Sequence, residues 1–129
     1  MTNSERRISR QRSFLHAAGE AKPDWWIITH VAQRMGFADA FPYTQAAQIF
    51  REHARLSGFE NDGTRAFDIS AMCEIDDAQY DALQPVQWPV NSQIPQGTQR
   101  LFSDGKFYTP GGKARMIAVA AQLPAVATD

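Results

Sequence analysis

With one cysteine, Cys73, in 129 residues, the chain can form no intramolecular disulfide. It also has no cysteine pair to ligate zinc or an iron–sulfur cluster. A reducing cytoplasm is the expected compartment. No apolar run approaches the length of a membrane span, and the opening MTNSERRISRQR lacks the apolar core of a secretory signal. Neither sign of charge dominates: 13 Lys plus Arg against 14 Asp plus Glu give a net charge of -1. That leaves no basic excess for nucleic acid or a membrane surface, and neither is expected as a partner. Motifs are missing as well. There is no G-x-S-x-G, no P-loop and no Rossmann glycine fingerprint; Gly111-Gly112 falls in a turn and opens no helix. His16, His30 and His53 match no metal-ligand spacing, and Cys73 has no histidine close in sequence. No catalytic residue and no metal ligand is assigned, and the chain alone is expected to carry no cofactor.

What is present suits a single folded domain, since 43% of the residues are hydrophobic and the length is that of one domain. The charges are unevenly placed. Residues 1–22 hold Arg6, Arg7, Arg10, Arg12 and Lys22 against Glu5 and Glu20, whereas residues 60–81 hold seven acids against Arg65. Solvated surface is the ordinary reading of both runs. The first residues, polar with paired arginines and almost nothing apolar before Phe14, resemble the middle of a protein more than its beginning.

The expected fold class is α+β, a mainly helical domain of two principal helices and short helical turns with a C-terminal β-hairpin or small three-stranded sheet. Three regions are expected: a helical region with a Pro-rich connector over 1–98, a hairpin region over 99–119, and a tail over 120–129. The first helix is predicted over 24–35. Pro23 has a φ suited to a helix start, Asp24 brings a carboxylate to the positive dipole end, and Gly36 supplies a left-handed stop. Trp25, Ile28, Val31, Ala32 and Met35 recur at the spacing of a buried face, so Ile28, Val31 and Met35 are expected to pack on the rest of the domain. Thr44 is expected to cap a second helix that buries Ala46, Ile49, Phe50, His53 and Leu56 and ends at Gly58. Short turns follow at 69–74 and 77–83, the latter opened by an Asp76/Gln79 capping box. Four breakers, Pro85, Pro89, Pro95 and Gly97, make 84–98 a connector. Beyond it Asp104-Gly105 is a hairpin turn signal between 100–102 and 106–108, with a third strand expected over 113–119.

The stretch Gly19-Glu20-Ala21-Lys22-Pro23-Asp24-Trp25-Trp26 concentrates whatever chemistry the chain has. Residue by residue, Asp24 reads first as a helix-start residue, since Asp is favoured there for its own sake, and the adjacent tryptophans point about a quarter-turn apart, so at least one belongs to the core.

Five blocks, TNSERRISRQR, AGEAKPDWWIITHVAQRMGF, AAQIFREHARLSGFENDG, ALQPVQWPV and RLFSDGKFYTPGGKARM, together resemble the catalytic subunit of bacterial nitrate reductases, most closely the assimilatory kind. These are molybdopterin oxidoreductases. The resemblance runs from Thr2 to about Val119, with the blocks in the family's order. It implies a fragment of an enzyme that reduces nitrate to nitrite on a molybdenum bis-molybdopterin guanine dinucleotide, with an iron–sulfur cluster elsewhere in the parent. The family's cysteine motifs and closing C-terminal domain have no counterpart here, and the remainder of that polypeptide is the implied partner. By the same resemblance Asp24 matches the aspartate that contacts a guanine dinucleotide. An ionised carboxylate has two acceptor oxygens for the two parallel N–H donors of guanine. Glu5, Arg6 and Arg7 match a block near the cofactor, and Gly111 stands where the family has an acid. The alternative is a free-standing binding module that uses the basic N-terminal segment on an acidic partner.

Overall fold

The computed structural model describes residues 1–122, in two compact units, Met1–Gln99 and a second beginning at Arg100. In the first unit β1 (Arg7–Ile8) pairs antiparallel with β2 (Val86–Gln87), Arg7 opposite Gln87 and Ile8 opposite Val86. Between them lie α1 (Asp24–Arg34), a 3-10 turn at Ala38–Ala40, α2 (Ala46–Gly58), a second 3-10 turn at Ser70–Met72, and α3 (Asp77–Ala82). The unit is mainly helical with a small sheet, as the α+β expectation has it.

Local signals set the helix ends. Gly36 takes φ +92 just past α1, a conformation glycine adopts without steric cost. At α3 the capping box forms in both directions, Gln79 N–H to Asp76 Oδ1 at 2.7 Å and Asp76 N–H to Gln79 Oε1 at 2.8 Å. The start of α2 differs from expectation. Gln45 precedes its first turn, and the Thr44 backbone N–H donates to Gln48 Oε1 at 2.7 Å, so Gln48 reaches back and the Thr44 hydroxyl does not cap.

The buried face of α2 is also offset from the predicted one. Ala47, Ala54 and Ser57 are buried, Phe50 is half-buried, and Leu56 is 59% exposed. Small residues win because the second 3-10 turn lies against the helix: a Cβ on Gly58 would fall 2.5 Å from Ser70 Cβ. Ser57 Oγ accepts the Ile69 N–H at 2.8 Å and donates to Ala54 O at 2.7 Å, which satisfies polar groups in this dry contact. The core is Ile8, Ala54, Ile69, Met72 and Val90, flanked by Phe50, Phe67 and Trp88.

Helix α1 is oriented opposite to the prediction. Its buried residue is Thr29, 2% exposed, and Gln33 Nε2 donates to Phe41 O at 2.8 Å. Ile28, Val31 and Met35 face outward at 59%, 52% and 67% exposure. Apolar spacing identifies a stripe that seeks cover, and in this chain the covered side is the polar one.

The charged runs are tied together within the unit rather than merely solvated. Arg10 pairs with Asp81 at 2.5 Å, Arg51 with Asp77 at 2.8 Å and Arg55 with Glu74 at 2.9 Å. Arg12 donates to the carbonyls of Asp81 in α3 and of Leu83 just past it, at 2.6 and 3.0 Å. Arg6, at φ +60, donates to the carbonyls of Trp88, Thr98 and Gln99, the last two at 3.1 Å, and so clasps the N-terminal segment to the Pro-rich connector.

Among the described residues of the second unit there is no strand, so the predicted C-terminal hairpin and third strand are absent and the sheet lies in the first unit instead. The Asp104-Gly105 turn forms, with Gly105 N–H on Phe102 O at 3.0 Å. Phe102 itself takes φ +59, which breaks the extended run one turn too early for a ladder. In place of a sheet, Phe102 stacks on Phe107 with centroids 4.5 Å apart, and Thr109 Oγ1 donates to Lys113 O at 2.8 Å. The rest of the predicted tail, residues 123–129, lies outside the described residues.

Candidate functional site

The segment entering α1 is built from one turn and one fixed backbone. Gly19 takes φ +54, the Ala21 N–H closes on Ala18 O at 3.1 Å, and Pro23 holds an extended ψ of 148 while its carbonyl accepts from the N–H groups of Trp26 and Ile27 at 3.0 and 3.2 Å. Pro23 is therefore the residue before the helix and Asp24 is its first residue. Asp24 is exposed, and its carboxylate forms no hydrogen bond or ion pair among the described residues. It sits at the positive end of an 11-residue helix with both oxygens available. Around the helix Lys22 Nζ lies 5.8 Å from the Trp26 ring centroid, and the Trp26 and His30 rings are 3.9 Å apart. Both tryptophans are half-buried.

Helical spacing places Asp24, Ile28, Val31 and Met35 at i, i+4, i+7 and i+11, along one outward face. The last three of these, with Ile27 and Phe37, border an open apolar groove of about 500 Å³. A second cleft, about 350 Å³, lies between the N-terminal segment and α2 and is lined in part by Ile8, Arg10, Phe50 and Tyr80. Arg10 stacks its guanidinium 4.5 Å from the Tyr80 centroid there, so its charge is already engaged by that ring and by Asp81.

The other chemically suggestive residues are dispersed. His53 is exposed, 5.4 Å from the Phe67 ring, and Cys73 Sγ lies 3.7 Å from Glu74 Oε1. No group of three or more His, Cys, Asp or Glu side chains comes together among the described residues. Glu5, Arg6 and Arg7, which the resemblance associates with the cofactor region, sit at the sheet; Arg6 is committed to three carbonyls, and Arg7 lies 3.7 Å from Glu5. Sequence reasoning missed a polar junction at Asp68. Burial pushes its carboxyl up, but the Ser70 hydroxyl and backbone N–H and the Asn91 amide outweigh it and hold the group below its ordinary range. The backbone N–H of Ser70 donates to Oδ1 at 2.9 Å and Asn91 to Oδ2 at 3.0 Å, joining the α2 side of the unit to the connector. Its sequence signal was that of an acid opening the 69–74 turn, which names no distant partner.

The chain is 46% identical over 129 residues to a nitrate reductase of Klebsiella oxytoca, covering 100% of this chain and 14% of that protein. It is 48% identical over 124 residues to a nitrate reductase of Shewanella frigidimarina, covering 93% of this chain and 13% of that protein. A formate dehydrogenase alpha subunit of Methanococcus maripaludis is 30% identical over 124 residues, 92% of this chain and 15% of that protein. The chain thus spans only 13–15% of the length of these relatives. No protein-family model matches it, and no solved structure matches it significantly.

Proposed function

The chain belongs to the nitrate reductases of the molybdopterin oxidoreductase superfamily as one segment of their sequence, and from that premise we propose that it forms part of the binding region for a molybdopterin guanine dinucleotide, with Asp24 taking the guanine edge. One observation carries the assignment: the Asp24 carboxylate stands at the start of α1, exposed and without a partner among the described residues. Its two oxygens suit the two adjacent N–H donors of guanine, and a charged acceptor strengthens both bonds. The residues present fit the nucleotide end of the group, and the metal-ligating side chains belong to other parts of the polypeptide.

When bound, the group supplies the molybdenum centre at which nitrate is reduced to nitrite. This chain's residues bind and orient. Pro23 fixes the backbone angle at which the helix starts, and α1 aims its free N–H groups and dipole toward the same side as Asp24. Trp26 packs on His30 one turn along the same helix, which stiffens the helix start that presents the carboxylate. The reading extends to nitrate assimilation in the cytoplasm, with an iron–sulfur cluster and the remainder of a nitrate reductase polypeptide as the surrounding parts; the resemblance of the five blocks to assimilatory enzymes supports it. The rival module reading is weakened because Arg6, Arg10 and Arg12 are occupied within the unit.

The test is a chimaera in which this chain replaces the matching segment of the Klebsiella oxytoca relative. Asp24→Asn puts an N–H₂ donor toward guanine's donors and removes a charge-assisted pair worth roughly 1.5–3 kcal/mol. Guanine dinucleotide retained after prolonged dialysis should fall at least about tenfold. Because Asp24 is the first helical residue and not the cap, the same change should weaken α1 itself by only about 0.3–1 kcal/mol through the dipole. Full retention of the dinucleotide in the Asn form would refute the assignment.

A further inference from the structure

We propose that the outward stripe of α1 is a docking face, and that its occupant is an apolar surface belonging to the remainder of a nitrate reductase polypeptide. The inference rests on the reading above and gives it a geometry. The helix turns its polar residues, Thr29 and Gln33, toward its own unit and its aliphatic ones away. Ile27, Ile28, Val31, Met35 and Phe37 are 47%, 59%, 52%, 67% and 55% exposed, side by side along a groove of about 500 Å³. Scattered apolar residues on a surface mean little, but a contiguous patch along one helix marks a contact.

The choice of occupant follows from tethering. A stable complex between separate chains buries about 800 Å² per partner, which five side chains that are each about half exposed do not reach by themselves. A surface within the same polypeptide needs far less, because tethering removes most of the cost of association. The relatives supply that surface: the chain corresponds to 14% of the Klebsiella oxytoca protein. Asp24 heads the stripe, so seating the stripe would also fix the carboxylate at the edge of the contact, beside whatever the remainder of the polypeptide holds there.

The experiment uses the double variant Ile28→Glu/Val31→Glu in two settings: this full chain, and the Klebsiella oxytoca chimaera produced in cells that make no pterin cofactor. Glutamate keeps helix propensity, so the full chain by itself should melt within about 2 °C of the parent. The cofactor-free chimaera should become at least about tenfold more sensitive to trypsin within the grafted segment. An unchanged chimaera would overturn the proposal. So would a variant chain that unfolds alone, which would place the stripe inside its own unit, or a parent chain whose dimers in sedimentation velocity are abolished by the variant while the chimaera is unaffected, which would make a second copy the occupant. Because these readouts involve no cofactor, they stand or fall apart from the Asp24→Asn retention test.

Discussion

Gly58→Ala tests the tightest contact in the first unit. Gly58 is the last residue of α2 and does not need a left-handed backbone, so on propensity alone alanine should stabilise the helix by up to about 1 kcal/mol. The structure predicts the opposite sign. The new methyl would sit 2.5 Å from Ser70 Cβ and 3.0 Å from Ser70 Oγ, well inside van der Waals contact at about 3.5–4.0 Å. Neither side can retreat cheaply: Ile69 N–H is bonded to Ser57 Oγ at 2.8 Å, Val90 N–H to Asp68 O at 2.7 Å and Asn91 to Asp68 Oδ2 at 3.0 Å. Overpacking a fixed contact costs about 1–3 kcal/mol, and the upper end applies here. Against the propensity gain the net is about 2 kcal/mol of destabilisation, or roughly 8 °C in melting temperature for a domain of this size. Thermal unfolding followed by far-UV circular dichroism reads it. Ser70→Gly removes the clashing carbon, so in the Gly58→Ala background it should cost less than in the parent, with a coupling of roughly 1–2 kcal/mol. A melting point raised by a few degrees in Gly58→Ala would refute the close approach of α2 and the second 3-10 turn.

Two further outcomes follow from the polar contacts. Because the Asp68 carboxyl is held below its ordinary value, its contribution is present above the unfolded value of about 3.9 and is lost as pH falls through the lower folded value; melting curves taken from pH 7 into acid should decline more steeply for the parent than for Asp68→Asn, and parallel declines would show that the junction is not coupled to folding. Arg6→Lys keeps the charge but cannot hold the carbonyls of Trp88, Thr98 and Gln99 with one fork; it should cost about 2 kcal/mol in urea unfolding, and a loss below about 0.5 kcal/mol would make the clasp incidental.

Sequence patterns exposed those parts of the fold that local chemistry decides. Gly36 ends α1 and the Asp76/Gln79 pair opens α3 because each acts within four residues of itself. The direction of α1 was not legible, since a stripe at helical spacing states that a face is apolar and says nothing about which body covers it. The offset on α2 has a related cause: Leu56 and Ile49 signal hydrophobicity, yet the close approach of another backbone selects Ala54, Ser57 and Gly58. The hairpin expected around Asp104-Gly105 failed because turn chemistry alone does not make a ladder, and a lone pair of strands is marginal without a packing partner. At the candidate site, α1 starts at Asp24 as its spacing predicts, with Pro23 the residue before it, because the fixed φ of proline acts locally.

The Arg6 clasp bears on how the unit can be made. Its acceptors lie 82, 92 and 93 residues further along the chain, and β1 likewise waits for β2. At about 5–20 residues per second of synthesis, the N-terminal strand is on the outside of the ribosome for roughly 5–18 s before its partners exist. During that interval Ile8 has no sheet and no Val90 to cover it, while α2 and its 3-10 turn can already form from residues close in sequence. The contacts of α2 with its 3-10 turn thus become available earlier than those of β1, whose partners are the last of the unit to be made. Closing so long a loop carries an entropic cost that only the late contacts repay, so cells that translate this region slowly would lengthen the exposure of β1 without hastening its burial.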